Sequence, residues 1–406
     1  MIHMKKDFNE IEFLFPKEFN RDCFTQISSL EPFSDDAVIY LNALSSLLNK
    51  DKRNREYPDV ATFAFFCRRA NILQLKKEYI SKEILRLGRG IVFHIAPSNV
   101  PVNFAYSLVV GILSGNLNIV RVPSNAFEQV EIICNAIQKL SQEKTLQSLS
   151  SRIILVRYDR QSYATNYFSS FCDVRIIWGG DATIEQIREN KIPPRSFDVT
   201  FADRYSLCVI NADKYVNENT PEKIAVGFYN DTYLFDQNAC TTPHLIIWLG
   251  TDENVEIAKI KFWNNLYKLV KSKYQVYPVI AVDKLTTFYK QAVHSNQLKK
   301  TISPDNLIWR IELKEIAKDI DEYRCTSGYF SEYHASSIFE LSKIINRKYQ
   351  TLSYYGIENN DLINFIAQVK PCGIDRIVPI GTTTNFSLTW DGFNLIETLS
   401  RRIDLH

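Results

Sequence analysis

Short apolar runs rich in β-branched residues alternate with helix-like segments through the middle of the chain, and this alternation most constrains the fold. The runs lie at 91–95, 118–122, 152–156, 174–178 and 197–201. Most of them are too continuous for half-exposed strands, so they predict strands that are buried on both faces. The helix-like segments between them predict parallel strands crossed by helices, in a doubly wound α/β sheet.

A second set of alternating strand and helix patterns begins near Ser206 and predicts a second α/β domain. With 406 residues, the chain is long enough for two domains. The apolar spacing of residues 1–87 predicts a mostly helical region before the first sheet. The last residues of the chain are predicted to form an amphipathic helix.

Charge and composition exclude several classes of function. The 48 basic and 46 acidic residues leave a net charge of +2, which gives no reason to expect a nucleic-acid partner. No apolar run reaches the roughly 18–20 residues of a membrane span. The N-terminal stretch turns acidic where an export signal would be apolar, so we expect a cytoplasmic protein. Eight cysteines without a CxxC pair argue against a zinc site and against a disulfide framework.

Polar residues follow the predicted strands, at the sheet edge where doubly wound folds bind ligands. In "APSNVP", Pro97 and Pro101 fix the turn around Asn99. The Asn99 amide can therefore point at a ligand, although a turn asparagine often bonds its own backbone. Arg121, at the end of the next strand, can meet a ribose or its 2′-phosphate, or it is a solvated surface arginine.

Two further stretches carry candidate chemistry. Gly179 and Gly180 precede a helix, so a ligand phosphate can approach the backbone there, although an ordinary turn has the same pattern and GxGxxG is absent. Cys240 lies in the polar turn "FDQNACTTPH", either as a small buried residue or as a nucleophile. Its thiolate would need a pKa below the usual value of about 8.5, and His244 is one group that could assist.

These motifs, in this order, resemble the aldehyde dehydrogenase superfamily, and more closely its acyl-CoA reductase (LuxC) branch. The matching pieces, from about residue 85 to the end, are "PSNVP", "GNLNIVRVPS", "WGGDATI", "DQNACTTPH" and "DRIVPIGTTTNFSLTWDG". The last piece is the most specific to the branch. The resemblance implies an aldehyde dehydrogenase-like α/β fold, with a Rossmann-like cofactor domain in 1–205, a catalytic domain in 206–375, and a segment at 376–406 that returns to the active site or to an oligomer interface.

The resemblance also assigns roles to residues of this chain. Cys240 would be the nucleophile and Asn99 an oxyanion donor. The cofactor-binding residues would be Ala96, Pro97, Ser98, Arg121, Ser124, Gly179 and Gly180. Ser124 stands where NAD-preferring members keep a glutamate, and its small hydroxyl leaves room for the 2′-phosphate of NADPH beside Arg121.

The implied activity is NADPH-dependent reduction of an acyl thioester to an aldehyde through a Cys240 acyl-enzyme. The glutamate that activates water in hydrolytic relatives is absent from "VTFADRYSLCVI", which favours a reductase. Alternatives are an NAD(P)-dependent aldehyde dehydrogenase that makes acid, and a non-catalytic scaffold for an acyl-transferring partner. The general base stays open between Asp203 and His244. Implied partners are an acyl-CoA or acyl-carrier thioester, an acyl-protein synthetase and further copies of the chain.

Overall fold

The structure is a computed structural model that describes residues 10–81, 84–98, 100–295 and 297–405. The chain divides into two compact units. Unit 1 extends to Ala202 and takes in the chain again from Phe393, whereas unit 2 is the continuous segment Asp203–Gly392. The sequence predicts divisions after residues 205 and 375.

Short strands recur along the described chain. In chain order they are β1 (Glu12–Phe15), β2 (Leu85–Gly88), β3 (Ile91–Ile95), β4 (Leu117–Arg121), β5 (Ile153–Arg157), β6 (Val174–Trp178), β7 (Phe197–Phe201), β8 (Tyr205–Asn211), β9 (Pro243–Leu249), β10 (Leu298–Ile302), β11 (Trp309–Leu313), β12 (Tyr329–His334), β13 (Tyr349–Tyr355), β14 (Arg376–Pro379), β15 (Thr389–Trp390), β16 (Phe393–Asn394) and β17 (Ser400–Ile403).

Helices connect most of these strands. In chain order they are α1 (Arg21–Thr25), α2 (Asp35–Lys50), α3 (Pro58–Phe66), α4 (Arg69–Tyr79), α5 (Asn103–Leu113), α6 (Glu128–Leu140), α7 (Gln147–Ser150), α8 (Ala164–Ser169), α9 (Asp181–Arg188), α10 (Ala212–Tyr215), α11 (Pro221–Thr232), α12 (Asp252–Lys273), α13 (Pro278–His294), α14 (Asn359–Val369) and α15 (Leu395–Thr398). Among the described residues, no helix is both long and apolar enough to cross a bilayer.

The sheet of unit 1 has the strand order β1-β5-β4-β3-β6-β7. The strands from β3 to β7 are parallel, and β1 pairs antiparallel with β5 at one edge. All five residues of β3, β4 and β6 are buried, because helices cover both faces of the central strands. The chain runs outward from β3 to β5 and then resumes at β6 on the other side of β3. The carboxyl ends of β3 and β6 therefore flank the point where doubly wound sheets bind ligands.

A buried series of side-chain hydrogen bonds fixes these central strands against α5. The Trp178 Nε1–H donates to Ser107 Oγ at 3.1 Å, and Ser107 Oγ lies 2.8 Å from His94 Nδ1. His94 Nε2 lies 3.1 Å from Asn118 Oδ1, which accepts only, so Nε2 carries the proton and Nδ1 accepts from Ser107. Burial lowers the pKa of His94 to about 4, so the ring is neutral. The series thus joins β3, β4, β6 and α5 without a buried charge.

The sheet of unit 2 has the strand order β10-β11-β12-β9-β8-β13-β14, with β10 antiparallel on β11 and the other pairings parallel. Alternate residues of β8 serve different cores, as the two-residue strand period requires. Leu207 and Val209 belong to one apolar cluster, and Cys208 and Ile210 belong to the other. The sheet is therefore packed on both faces, as the continuous apolar runs of its strands predict.

The prediction that the C-terminal residues form an amphipathic helix is wrong. The helix α15 has only four residues, and β17 then pairs antiparallel with β2. Apolar residues at 395, 396, 399 and 403 match a helical period, which explains the prediction. The edge of β2 instead offers backbone groups that β17 satisfies, and this tertiary pairing outweighs the local pattern.

Candidate active site

A cleft of about 250 Å³ lies in unit 1 at the carboxyl ends of β3, β4 and β6. All the residues that the sequence predicts to bind the cofactor line it, namely Ala96, Pro97, Ser98, Arg121, Ser124, Gly179 and Gly180. The parallel sheet brings these loops together, since the loops that follow neighbouring parallel strands end on the same edge. Their role in binding stays a prediction.

Arg121 is the most constrained side chain of this cleft. It is only 8% exposed, and its Nη2 donates to the carbonyl oxygen of Tyr158 at 3.3 Å. The guanidinium lies 4.8 Å from the centre of the Tyr158 ring. Its Nε–H is buried and has no hydrogen-bond partner among the described residues. A buried guanidinium with an unused donor at a cleft wall is suited to an anionic ligand group.

Arg160, in the loop after β5, also lines the cleft, and sequence reasoning missed it. It is exposed, and its charge contributes to lowering the pKa of Arg121, after the larger effect of burial. No motif marks this loop. The rule that ligands bind after the carboxyl ends of parallel strands would have found it, since β5 is the strand next to β4.

The cleft has the chemistry of an anion site. Of the twelve described residues that line it, two are arginines and none is Asp or Glu. Nothing lies within 4 Å of the position that a Cβ on Gly180 would take, so the backbone there stays open to a ligand. Gly180 also precedes the first residue of α9, where helix N–H groups point outward. Asn99, the predicted oxyanion donor, lies outside the described residues.

Cys240 lies in unit 2, in the turn between α11 and β9, and is half-buried. Its carbonyl oxygen accepts a hydrogen bond from Ser206 Oγ at 2.7 Å. The same Oγ accepts from the backbone N–H of Thr351 at 3.1 Å. Ser206 therefore joins the cysteine turn to the beginnings of both β8 and β13.

Gln237 fixes the turn from inside, a role that sequence reasoning did not assign. Its side chain is 1% exposed and donates to the carbonyl oxygens of Pro243 and Tyr329 at 3.2 and 3.0 Å. Its Oε1 accepts from the N–H groups of Gly328 and Tyr329 at 2.8 and 3.0 Å. Gln237 and Asp236 both have left-handed backbone, with φ of 61° and 51°. These four bonds hold that conformation in place, because they tie the turn to the backbone of Pro243, Gly328 and Tyr329.

The groups around the Cys240 sulfur have opposite effects on the pKa of its thiol. Burial raises the pKa of the thiol to about 11, and the charge of Asp391 adds to this rise. Gln350 acts in the opposite direction, with its Nε2 at 3.4 Å from Sγ, and so does the charge of Arg204. At neutral pH the resting thiol is therefore mostly protonated.

Neither base that the sequence left open is a partner of the sulfur in the contacts of the described residues. The His244 ring stacks on Tyr205 at 5.6 Å, and burial lowers its pKa to about 3. The Asp203 carboxylate pairs with Arg324 at 2.5 Å. Both side chains thus have neighbours other than Cys240, whereas the Gln350 side chain does contact the sulfur.

The branch-specific C-terminal motif is anchored beside this turn. The buried carboxylate of Asp231, on α11, accepts from the N–H groups of Gly381 and Thr383 at 2.6 and 3.0 Å. Burial raises the pKa of Asp231 to about 6, although these two donors oppose the rise. The Arg376 guanidinium donates to the carbonyl oxygens of Thr383 and Asn385 at 2.7 and 2.6 Å. The motif then continues to Asp391, which Gln350 contacts.

Comparison of the sequence with known families gives one match across nearly the whole chain. The model of the family described as acyl-CoA reductase (LuxC) matches residues 15–402. The long-chain acyl-protein thioester reductase of Aliivibrio fischeri is 23% identical over 307 residues, which cover 73% of this chain and 60% of the relative. The enzyme of the same name from Photobacterium phosphoreum is 22% identical over 325 residues, 78% of this chain and 62% of the relative. The chain thus spans about three fifths of the length of these relatives.

Comparison of the structure gives aldehyde dehydrogenases. Aldehyde dehydrogenase 21 from Physcomitrella patens aligns with a TM-score of 0.61 and 11% identity, over 91% of this chain and 85% of that one. An NAD-dependent benzaldehyde dehydrogenase from Corynebacterium glutamicum aligns with a TM-score of 0.59 and 10% identity, over 92% and 85%. At these identities the likeness concerns the fold alone. It confirms the predicted aldehyde dehydrogenase-like α/β fold.

Proposed function

The chain belongs to the acyl-CoA reductase (LuxC) family, and from this premise we propose that it reduces an acyl thioester to an aldehyde with NADPH, through an acyl-enzyme on Cys240. The observation that carries the proposal is Cys240, a half-buried residue in an anchored turn, whose sulfur lies beside the N–H donor of Gln350. The other cysteines with a resolved pKa shift are buried in the cores, where burial raises their pKa without such a turn. A thiol with a directed donor, in a residue that is not fully buried, is instead suited to nucleophilic attack.

In the first step the Cys240 sulfur attacks the acyl carbon. The new C–S bond forms first and gives a tetrahedral intermediate, whose collapse breaks the bond to the donor's sulfur. The proton of Cys240 ends on the leaving thiol, so this step involves no oxidation. The oxyanion of the tetrahedral intermediate would be held by the Asn99 amide and the backbone N–H of Cys240. Removing one such donor typically costs about 10²–10³ in rate.

The residues of the unit 1 cleft fit the phosphorylated cofactor. Arg121 and Arg160 would hold the 2′-phosphate beside the hydroxyl of Ser124, and the absence of a carboxylate among the described lining residues disfavours an unphosphorylated ribose. Bound NADPH would supply the hydride that, with one proton, converts the acyl group to aldehyde and returns Cys240 to its thiol form. Gly179 and Gly180 would let the pyrophosphate approach the start of α9.

The proposal favours aldehyde over acid because a water-activating glutamate is missing from 199–210. The names of the relatives make a protein-bound acyl group a second donor beside acyl-CoA. An acyl-protein synthetase would supply such a donor. We propose this synthetase and further copies of the chain as partners.

The central test is the exchange of Cys240 for Ser. With hexadecanoyl-CoA and NADPH, the unaltered chain should form aldehyde and carry a hydroxylamine-labile acyl group on the peptide that contains residue 240. C240S should lose both, because a serine hydroxyl is a much weaker nucleophile at neutral pH. The matched control is Cys372→Ser, at an exposed cysteine. Aldehyde formation by C240S at a rate close to that of C372S would contradict the proposal, and formation of acid would favour the dehydrogenase alternative.

The cofactor part has its own test. Arg160→Ala should raise KM for NADPH about tenfold to hundredfold and leave KM for NADH unchanged, since one charge-assisted contact contributes about 1.5–3 kcal/mol. Arg195→Ala removes an exposed arginine that does not line the cleft and serves as control. An equal change for both cofactors would argue against the 2′-phosphate contact.

A further inference from the structure

Gln350, the second residue of β13, is the side chain that contacts the Cys240 sulfur. Its Nε2 lies 3.4 Å from Sγ, and the same nitrogen donates to Oδ1 of Asp391. A primary amide nitrogen carries two hydrogens, so one can point at the carboxylate and the other at the sulfur. Gln350 is 2% exposed, and water therefore competes little for either contact.

Asp391 determines which end of this amide faces the sulfur. An ionised carboxylate only accepts hydrogen bonds, so the amide must turn its nitrogen, not its oxygen, towards Asp391. The Gln350 oxygen accepts from Thr351 Oγ1 at 3.3 Å. The reversed amide would set oxygen against carboxylate and would leave no N–H beside Cys240.

The carboxylate of Asp391 is itself held by unit 2. Its side chain is 3% exposed, and its Oδ2 lies 3.7 Å from Arg204. Arg204 also pairs with Asp375 and donates to the carbonyl oxygen of Tyr349 at 2.7 Å, so the arginine is fixed against the start of β13. The backbone of Asp391 is left-handed, with φ of 48°, in the turn that ends with Gly392. The fold therefore sets the place of the carboxylate before any substrate binds.

A directed N–H changes the chemistry of a sulfur, because it stabilises the thiolate more than the thiol. In the proposed reaction the Cys240 sulfur bears negative charge twice. It does so when its proton is lost and its bond to the acyl carbon forms, and again when the C–S bond of the reduced intermediate breaks and the sulfur keeps the electron pair. The charges of Asp391, Arg204 and Arg376 act on this sulfur. The uncharged donors beside it include the backbone N–H of Cys240 and the side chain of Gln350.

We propose that Gln350 is a catalytic residue that donates a hydrogen bond to the Cys240 sulfur whenever it carries negative charge, and that Asp391 is the positioning residue that holds the Gln350 amide in the donating orientation. This inference rests on the proposed function, because it gives Gln350 a role in the formation and release of the acyl-enzyme. It also explains why the C-terminal motif, which contains Asp391, belongs to the cysteine site.

The test uses four variants of the full chain: Gln350→Met, Asp391→Leu, their double variant, and Asp391→Asn. Methionine keeps the volume of Gln350 and removes the N–H. Asparagine keeps an acceptor for the amide, whereas leucine removes it. Gln368→Met and Asp361→Asn, at exposed positions of α14, are the matched controls. Thermal unfolding verifies that each variant is folded, and D391L tests the proposal by itself if Q350M is not.

Two rates are measured: acylation of Cys240 by hexadecanoyl-CoA, and alkylation of Cys240 by iodoacetamide between pH 7 and 10. Q350M should acylate about tenfold more slowly or worse, and its alkylation should need about one pH unit more to reach the same rate. D391L should also slow acylation, but less than Q350M, because it removes the anchor of the amide together with the charge that raises the Cys240 pKa. The double variant should lose no more than Q350M, and D391N should recover most of the loss of D391L.

Normal acylation and a normal alkylation profile in Q350M would overturn the role of Gln350. Additive losses in the double variant, or no recovery in D391N, would overturn the positioning role of Asp391. If the proposed function itself were wrong, the unaltered chain would not be acylated. That result differs from those that would overturn the role of Gln350. The alkylation profiles would still test the contact between Gln350 and the sulfur in that case.

Discussion

At the scale of single residues, the site shows a cysteine whose environment holds it as a thiol at rest. Burial and the charge of Asp391 raise the pKa, and only part of this rise is offset by Gln350 and Arg204. Sequence reasoning required a lowered pKa for a nucleophilic Cys240, and left the assisting base open between Asp203 and His244. In the resting structure the pKa of the Cys240 thiol is instead raised. The thiolate of the proposed mechanism is therefore a minor form, which reacts with a bound acyl group.

The first prediction concerns the pH dependence of this thiol. Because the pKa of Cys240 is about 11, the rate of its alkylation by iodoacetamide should rise about tenfold for each pH unit between 7 and 9, with no plateau. Mass spectrometry of the peptide containing residue 240 measures the rate separately from the other seven cysteines.

Exposed Cys372 supplies the internal reference for reagent quality in the same digests. A plateau in the alkylation rate of Cys240 already near pH 7 would mean that the sulfur is ionised in the resting chain. Burial and the charge of Asp391 would then not raise its pKa as inferred.

At the scale of elements, the turn between α11 and β9 is held by one glutamine. Gln237 satisfies backbone groups at the start of β9 and at the start of β12. The turn carries two successive non-glycine residues in left-handed backbone, which is costly without such support. The position of Cys240 therefore depends on a side chain three residues earlier that takes no part in the chemistry.

The second prediction follows from these four hydrogen bonds. Gln237→Ala should lower the free energy of unfolding by about 2–4 kcal/mol, because it leaves buried N–H and carbonyl groups without partners. Urea unfolding followed by circular dichroism measures the difference.

Asn238→Ala, one residue further along the same turn and exposed, should change the free energy of unfolding by less than about 0.5 kcal/mol. Equal effects of the two substitutions would mean that the Gln237 bonds contribute no more than an ordinary surface contact.

At the scale of the whole molecule, unit 1 is built from two segments that are far apart in the sequence. Unit 1 takes its last pieces from the C-terminal end, after the whole of unit 2. Leu395, Ile396 and Leu399 are at most 2% exposed, and the Leu399 carbonyl accepts from Asn116 Nδ2 at 2.9 Å. The strand β17 covers the edge of β2. Fourteen residues at one end of the sequence thus supply one strand of the two-stranded sheet β2–β17, and buried side chains to a unit that is built mostly from the other end.

The third prediction is that deletion of residues 393–406 unfolds unit 1 selectively. Three buried aliphatic side chains contribute about 5–8 kcal/mol, a large part of the stability of an ordinary domain. Hydrogen exchange should become fast in β3 and β4, while β8 and β9 keep their protection because unit 2 is continuous.

Deletion of residues 404–406 alone removes only exposed residues among those described and should leave exchange unchanged in both units. If β3 stayed protected after the longer deletion, the C-terminal segment would be an addition to unit 1 rather than part of its fold.

The sequence by itself determined the parallel strands of unit 1, their direction and the edge where ligands would bind. Runs such as 91–95 and 174–178 are buried strands for a local reason, since continuous β-branched apolar stretches have no exposed face. Once those strands are parallel, the loops after them must meet. For this reason residues as distant as Ser98, Arg121 and Gly180 were correctly expected on one edge.

Only the tertiary structure decided what surrounds the cysteine. Gln350 and Asp391 lie 110 and more residues after Cys240 in the chain, and no local pattern distinguishes a glutamine that faces a sulfur from one that faces water. The same holds for the C-terminal strand β17, whose helical apolar spacing was outweighed by the free edge of β2. Local propensity contributes tenths of a kcal/mol per residue, whereas burial and backbone pairing contribute whole kcal/mol, so contacts distant in sequence determine these features.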